Sequence, residues 1–316
     1  MKSTGEERKR GWLIATAAGL GVVLAAHSAT AQYASDFESL TLGVMTGQDG
    51  YYLPPGTNSM DYIVEAYPPC RTACTFDPDP ACDIFDFLAF QNLFVGNDPC
   101  ACLMDPDPAC DIFDFLAFQN AFVAGPSPQI VPPNPTGGSQ YVRGIGPAGG
   151  VFARAQRDIG WPIDGATMAY DVLCGTENAG GFNNLGSFSI QPFPGSGSFI
   201  HLFNWMPGSM TEWRTQIIGF TAAGVQTFFP PPGPEWENLQ LNKWYRLSIT
   251  VDFALNEVTG ASITDIDAGT TTTVPITGIF LDGGNAPPGP HPTGFRFFAG
   301  ANTAGNYVAW DNCNIQ

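Results

Sequence analysis

Between residue 127 and the C-terminus the chain carries short alternating runs of apolar and polar residues, with no helical period of useful length. The runs are Val151–Ala155, Thr167–Leu173, Ser187–Gln191, Phe199–Phe203, Thr215–Phe220, Tyr245–Val251, Ser262–Ile266, Thr273–Phe280, Phe295–Ala299 and Tyr307–Trp310. β-Branched and aromatic residues fill them; Gly, Pro, Asn and Asp fill the gaps. A period of two buries one side of an extended strand, and frequent breakers turn the chain back on itself. The pattern therefore predicts a mainly β fold, an antiparallel β-sandwich.

The segment Tyr33 to Tyr67 reads the same way, with strands over Asp36–Leu42 and Asp61–Glu65. A piece that short buries too little surface to stand alone. Residues 32–66 and 127–316 are thus expected to form one domain, interrupted by an insertion at 67–126. Pro68-Pro69 and the run from Pro126 to Pro135 suit the surface loop that tolerates an insertion. The other arrangement is a small N-terminal element followed by two domains.

Residues 1–31 read as a secretory signal peptide: Arg8, Lys9 and Arg10, then the apolar Trp12 to Ala26, then Ala29-Thr30-Ala31 as a cleavage site. The mature chain is expected to be secreted, whether extracellular, periplasmic or at the cell surface. No later stretch is long and apolar enough to span a bilayer, so no membrane insertion is expected. Without Lys2, Arg8, Lys9, Arg10, Glu6 and Glu7, the 12 basic and 29 acidic residues fall to 8 and 27, a net charge of −19. That surface repels phosphate backbones and anionic lipid. No nucleic acid is expected as a partner; calcium and neutral polymers fit better.

The insertion holds an internal duplication. Residues 77–92 read DPDPACDIFDFLAFQN, and residues 105–120 repeat all sixteen letters. Clustered aspartates ahead of a short apolar helix are the sequence form of a calcium loop of the EF-hand type. In Ile84–Val95 only Asp86, Gln91 and Asn92 are polar, more apolar surface than a two-helix unit can bury between its helices. The surplus must press on the sandwich or on a partner protein.

Eight cysteines in an exported chain favour disulfides. Cys70, Cys74, Cys82, Cys100, Cys102 and Cys110 crowd the insertion, where a Cys82–Cys110 bond or the local pairs Cys74–Cys82 and Cys102–Cys110 are both open. Cys174 and Cys313 are expected to pair with each other, each near a strand end.

The stretches SDFESLTLGVMTGQDGYY, NKWYRLSITVDFALNEVTG and NYVAWDNC resemble the concanavalin A-like lectin/glucanase jelly rolls of the laminin-G-like kind. The duplicated segment resembles a degenerate dockerin type I double repeat, IFDFLAFQN being its specific part. Together they imply a jelly-roll β-sandwich with a small disulfide-rich two-helix insertion, carbohydrate recognition by the sandwich, and calcium binding or docking to a cohesin-like protein partner by the repeat. With Asp86 at loop position 12, Asp83, Asp79 and Asp77 fall at 9, 5 and 3; Asp114, Asp111, Asp107 and Asp105 follow in the copy. These eight are the candidate metal ligands. Two departures stand against them. Thr75 or Leu103 replaces the first aspartate, and Pro80 or Pro108 the turn glycine, whose positive φ proline cannot adopt. Without an ion, Asp83 and Asp111 simply cap their helices.

Jelly-roll glucanases similar to this pattern carry Glu-x-Asp-x-Glu on one strand, which this chain lacks. The nearest carboxylate pairs are Asp265 with Asp267, expected to be solvated on a turn-flanked strand, and Glu235 with Glu237, which read as a loop after Pro230 to Pro234. His201 and His291 remain after signal removal, and no nucleophile elbow, zinc motif or phosphate loop occurs. Trp205, Trp213, Trp236, Trp244 and Trp310 either stack on sugar rings or pack the core. The reading is a secreted, non-catalytic binding or assembly protein that recognises an extracellular polysaccharide. A polysaccharide-degrading hydrolase and a ligand-free structural surface protein are the alternatives.

Overall fold

The computed structural model describes residues 33–55, 59–66, 83–98, 101, 102, 104, 110–124, 131–146, 151–161, 164–176, 183–191, 200–206, 212–286, 291–300 and 306–316. The N-terminal stretch supplies β1 (Tyr33–Ser35), β2 (Gly43–Val44), β3 (Tyr51–Tyr52), β4 (Ser59–Met60) and β5 (Ile63–Ala66). Helices α1 (Ile84–Val95) and α2 (Ile112–Ala124) follow. Then come β6 (Gln140–Gly146), β7 (Phe152–Asp158), β8 (Gly165–Thr176), β9 (Asn183–Gln191), β10 (Ile200–Met206) and β11 (Glu212–Phe220). The remaining strands are β12 (Gln226–Phe228), β13 (Leu239–Gln240), β14 (Trp244–Asp252), β15 (Glu257–Asp265), β16 (Thr270–Pro275), β17 (Gly294–Ala299) and β18 (Asn306–Ile315).

The strands form two sheets. The first runs β16-β15-β14-β8-β18-β6-β5-β2, with β1 also on β18. The second runs β12-β11-β10-β9-β17-β7-β3, with β13 on β11 and β4 on β7. Pairing is antiparallel apart from the two-residue contact of β4 with β7. Residues 33–66 thus reach both sheets: β1 pairs β18, β5 pairs β6 and β3 pairs β7.

Alternation sets the packing, as β14 shows. Leu247, Ile249 and Val251 are buried, while Arg246, Ser248 and Thr250 between them keep partial exposure. Each such apolar side chain contributes roughly 1.5–3 kcal/mol on burial. The inward rows of the two sheets meet in an aromatic core. Tyr170 of β8 stacks on Phe188 of β9 with centroids 4.5 Å apart, and Trp310 of β18 lies 5.2 Å from Phe297 of β17. Phe37, Met45, Tyr51 and Tyr62 from the N-terminal stretch join this core, and Trp310 Nε1 donates to Tyr62 Oη at 3.1 Å.

Three expectations need correction. Asp36–Leu42 is not a strand: Phe37 sits at φ 61° and accepts the Leu40 amide, so the segment turns and uses Phe37 as a core plug. The run expected over Thr273–Phe280 ends as a strand at Pro275, and Phe280 makes isolated bridges to Phe220 and Glu257. Cys174 and Cys313 are both free and buried. Cys174 registers with Val308 on β18, whereas Cys313 registers with Ser35, five residues further along β18. At ~3.3 Å per residue the cysteines stand roughly 15 Å apart, far beyond the ~6 Å a disulfide spans. Burial raises both thiols above their ordinary range.

The two helices are built alike. Phe90 and its counterpart Phe118 stack face to face, centroids 3.9 Å apart, in a cluster separate from the sandwich core. Cys102 bonds Cys110, the local pairing, so Cys110 does not bond Cys82; Cys70, Cys74, Cys82 and Cys100 lie outside the described residues. The surplus apolar surface is left open, with Phe85 and Phe113 each 58% exposed. The sandwich does not cover it at these positions.

Candidate functional site

The outward rows of the second sheet come from strands whose inward positions are apolar. In β7, Ala153 and Ala155 enter the core, which turns Arg154, Gln156 and Asp158 outward. In β17, Phe295, Phe297 and Ala299 face in, leaving Arg296 and Phe298 on the outer face. In β9, Phe188 and Ile190 face in, leaving Ser187 and Ser189. The ladders place Tyr52 beside Gln156, Gln156 beside Arg296, Arg296 beside Ser189, and Ser189 beside His201. Five strands thus deliver one row of hydrogen-bonding residue types across the face; of His201 the backbone alone is described.

Within that row Arg296, Gln156 and Tyr52 form a hydrogen-bond chain that ends at Asp158. Arg296 donates from Nε and Nη2 to Gln156 Oε1, at 3.0 and 2.7 Å. Gln156 Nε2 donates to Tyr52 Oη at 2.8 Å, and Tyr52 Oη donates to Asp158 Oδ1 at 2.8 Å. Burial and the Asp158 carboxylate push the Tyr52 phenol up to about 12, so it is a donor at neutral pH and not a base. Beside the row, Phe152 and Phe298 pair with centroids 4.8 Å apart, and the Arg154 guanidinium lies over both rings. Arg154 Nη1 donates to Ser59 Oγ at 2.5 Å. Burial, and then the neighbouring Arg154, pull Arg296 down to about 10, still a cation at neutral pH. Burial also lowers Arg154.

The charge arrangement differs elsewhere. Arg143 pairs with Glu65, Arg157 with Asp49, Lys243 with Asp265 and Asp267, and Arg246 with Asp171. Arg154 and Arg296 make no ion pair among the described residues. Hydrogen-bonding groups beside half-buried aromatic rings suit a sugar, whose ring presents hydroxyls at its edge and C–H groups on its face.

Of the eight aspartates expected to hold a metal, Asp77, Asp79, Asp105 and Asp107 lie outside the described residues. Asp83 Oδ1 accepts the Phe85 amide at 2.8 Å while Asp86 Oδ2 accepts the Asp83 amide, a reciprocal cap on α1. Asp111 and Asp114 repeat this on α2, and Asp114 Oδ1 also accepts the Met104 amide. Asp86 and Asp114 are fully buried, and no group of three or more His, Cys, Asp or Glu gathers among the described residues. The described carboxylates accept the capping hydrogen bonds of the two helices.

The other candidates are dispersed over the fold. Burial alone would raise the Asp265 carboxyl, but Lys243 at 2.8 Å and the Ala268 amide hold it below its ordinary value. Glu235 and Glu237 are exposed on either side of buried Trp236. Exposed His291 lies 5.0 Å from the Phe253 ring. Trp213, Trp236, Trp244 and Trp310 are buried; Trp213 donates to Gln240 O at 2.9 Å and Trp244 to Pro132 O at 2.7 Å. Trp205 registers with Asn184, and only its backbone is described. The sequence reading missed Tyr52, Arg154, Gln156 and Arg296. The signal it had was Ala-Arg-Ala-Gln in β7 and Phe-Arg-Phe in β17, cations alternating with core residues.

No known protein family matches the chain, and no curated protein matches it. Solved structures give distant similarities. One is the CBM2 module of Lactobacillus casei BL23 phage J-1 evolved Dit, 12% identical over 55% of this chain and 75% of that one, TM-score 0.35. A second is the alginate lyase vAL-1 from Chlorella virus, 10% identical over 58% and 87%, TM-score 0.36. A third is the basic winged bean lectin with Tn-antigen, 11% identical over 51% and 78%, TM-score 0.29. At these scores the fold and the site rest on the strand pairings and contacts given above.

Proposed function

We propose that this is a secreted carbohydrate-binding protein whose glycan lies on the outer face of the second sheet. Its sandwich is built from residues 32–66 and 127–316, with 67–126 inserted. The observation that carries this reading is the Arg296–Gln156–Tyr52 chain beside the Phe152–Phe298 pair. Hydrolysis needs two carboxylates roughly 5–9 Å apart. The described carboxylates of this face are Asp158 on β7 and Glu212 on β11, four strand positions apart. At ~4.8 Å per position that is about 19 Å, too far for such a pair. That separation argues against the two-carboxylate route to hydrolysis and supports binding without turnover.

A glycan array probed with the mature protein, alongside reducing-sugar release from the same glycans, tests this. Saturable binding with no release is the expected result. Release of reducing ends would make the protein a polysaccharide-degrading enzyme, and no binding to any glycan would leave the structural reading standing.

A further inference from the structure

The cations of this chain are scarce and the carboxylates abundant, 12 against 29 over the full sequence. In such a chain each cation readily finds an acid, and Arg143, Arg157, Lys243 and Arg246 have done so. Arg154 and Arg296, which have no acidic partner among the described residues, occupy one face. Strand register makes them diagonal neighbours: Arg296 stands beside Gln156, and Arg154 lies two residues along β7. Each is held by neutral groups, Arg154 by Ser59 and the two phenylalanine rings, Arg296 by Gln156. Two adjacent, half-buried like charges repel each other and lose hydration, a cost that these neutral partners offset only in part. An anion placed between them would offset it, through charge-assisted hydrogen bonds about twice as strong as neutral ones.

We infer that the glycan of this face is an anionic polysaccharide, its carboxylate or sulfate groups seated on Arg154 and Arg296 and its sugar rings against Phe152 and Phe298. The inference rests on the carbohydrate reading above and narrows it. Guanidinium forks take planar carboxylates and tetrahedral sulfates alike, so the shared chemistry is a sugar bearing a fixed negative charge. The rest of the protein works against such a polymer, since its net charge of −17 repels polyanions. At physiological salt that repulsion is screened beyond about 8 Å, and contacts at the arginines decide the outcome. Binding of a polyanion here cannot come from general electrostatic attraction and reports on the local site.

The test is affinity electrophoresis and calorimetry of the mature protein in about 0.15 M salt, with polygalacturonate, dextran sulfate and uncharged dextran as probes. The expected result is binding to a charged polymer and a loss of about tenfold or more in Arg154→Gln and in Arg296→Gln. Arg143→Gln, on the first sheet and paired with Glu65, should bind as the parent does. Arg296→Lys, which keeps the charge, should recover part of the loss. Preference for polygalacturonate over dextran sulfate identifies the anion as carboxylate, the reverse as sulfate. Equal affinity for the uncharged polymer, or unchanged binding in both glutamine variants, overturns the anionic inference and leaves carbohydrate binding intact. Failure of the parent to bind these polymers or any glycan of the array overturns both. Thermal unfolding of each variant separates loss of the site from loss of the fold.

Discussion

The outer faces of the two sheets are made by the same strand alternation, yet they resolve their polar groups in opposite ways. On the first sheet, Val131, Tyr141, Leu173, Trp244, Tyr307 and Ala309 form a second apolar cluster over β6, β8, β14 and β18, joined by the segment that enters β6. Beneath that segment two aspartates, Asp171 and Asp311, are fully buried. Asp171 accepts from Asn134, Thr136 and Asn312 at 2.8–2.9 Å and pairs with Arg246 at 2.8 Å. Asn312 reaches it from a bulge in β18, where its φ of 45° suits asparagine. On the second sheet Asp158 accepts from Tyr52 instead of meeting a cation, and among the described residues no carboxylate pairs with Arg154 or Arg296. A face whose charges are matched internally is a structural surface. A face whose cations lack acidic partners among the described residues is the one proposed to take a ligand.

Substitutions should separate the two faces. Asp171→Asn removes the charge partner of Arg246 and unbalances a buried network; it should cost about 3–5 kcal/mol in denaturant unfolding while leaving glycan affinity unchanged. A cost under about 1 kcal/mol would show that the first face is not held as described. Trp244→Phe removes the hydrogen bond to Pro132 O and should cost about 1–3 kcal/mol, again without effect on binding.

Alkali should act on tyrosines on both faces. Burial and a carboxylate acceptor raise Tyr52 on the second face to about 12 and raise Tyr141, which donates to Glu65, on the first. Buried Tyr33 is likewise raised to about 12. Their folded-state values lie above the unfolded value near 10, so their contribution is complete below about pH 10 and falls as pH rises toward 12. Thermal unfolding between pH 9 and 12 should show that decline; a flat profile would contradict the tyrosine contacts. The smallest stability effect belongs to Arg296→Gln. Loss of one desolvated cation beside another should change unfolding free energy by less than about 1 kcal/mol, although affinity falls by about tenfold or more. This substitution is expected to lower affinity and spare stability, the reverse of Asp171→Asn and Trp244→Phe.

Much of the sandwich could be read from the residues. The runs at 167–173, 187–191, 245–251 and 295–299 all fall inside strands, because period-two burial leaves its mark on each strand separately. The start of α1 at Ile84 was legible for the same local reason, since an aspartate cap acts on the next turn. The central strand β6 went unread because Gly144 and Gly146 dilute its pattern; Gly144 is needed there, as a Cβ would collide with the Tyr62 ring. Asp36–Leu42 was misread because its apolar residues fill the core from a turn. The candidate site lay beyond such reading. Gln156 and Arg296 meet across 140 residues of chain, and Tyr52 and Gln156 across 104. Only the order of strands in the sheet brings them together. The free Cys174 and Cys313 teach the same lesson: elimination paired them, and register keeps them apart.

The claim that the second sheet's outer face is the binding surface is tested most directly by following the arginine Nε–H resonances during a glycan titration. Saturable shifts at Arg154 and Arg296, with Arg143 and Arg246 unmoved, are the predicted result. Saturable binding that moves Arg143 or Arg246 and leaves Arg154 and Arg296 in place would contradict it.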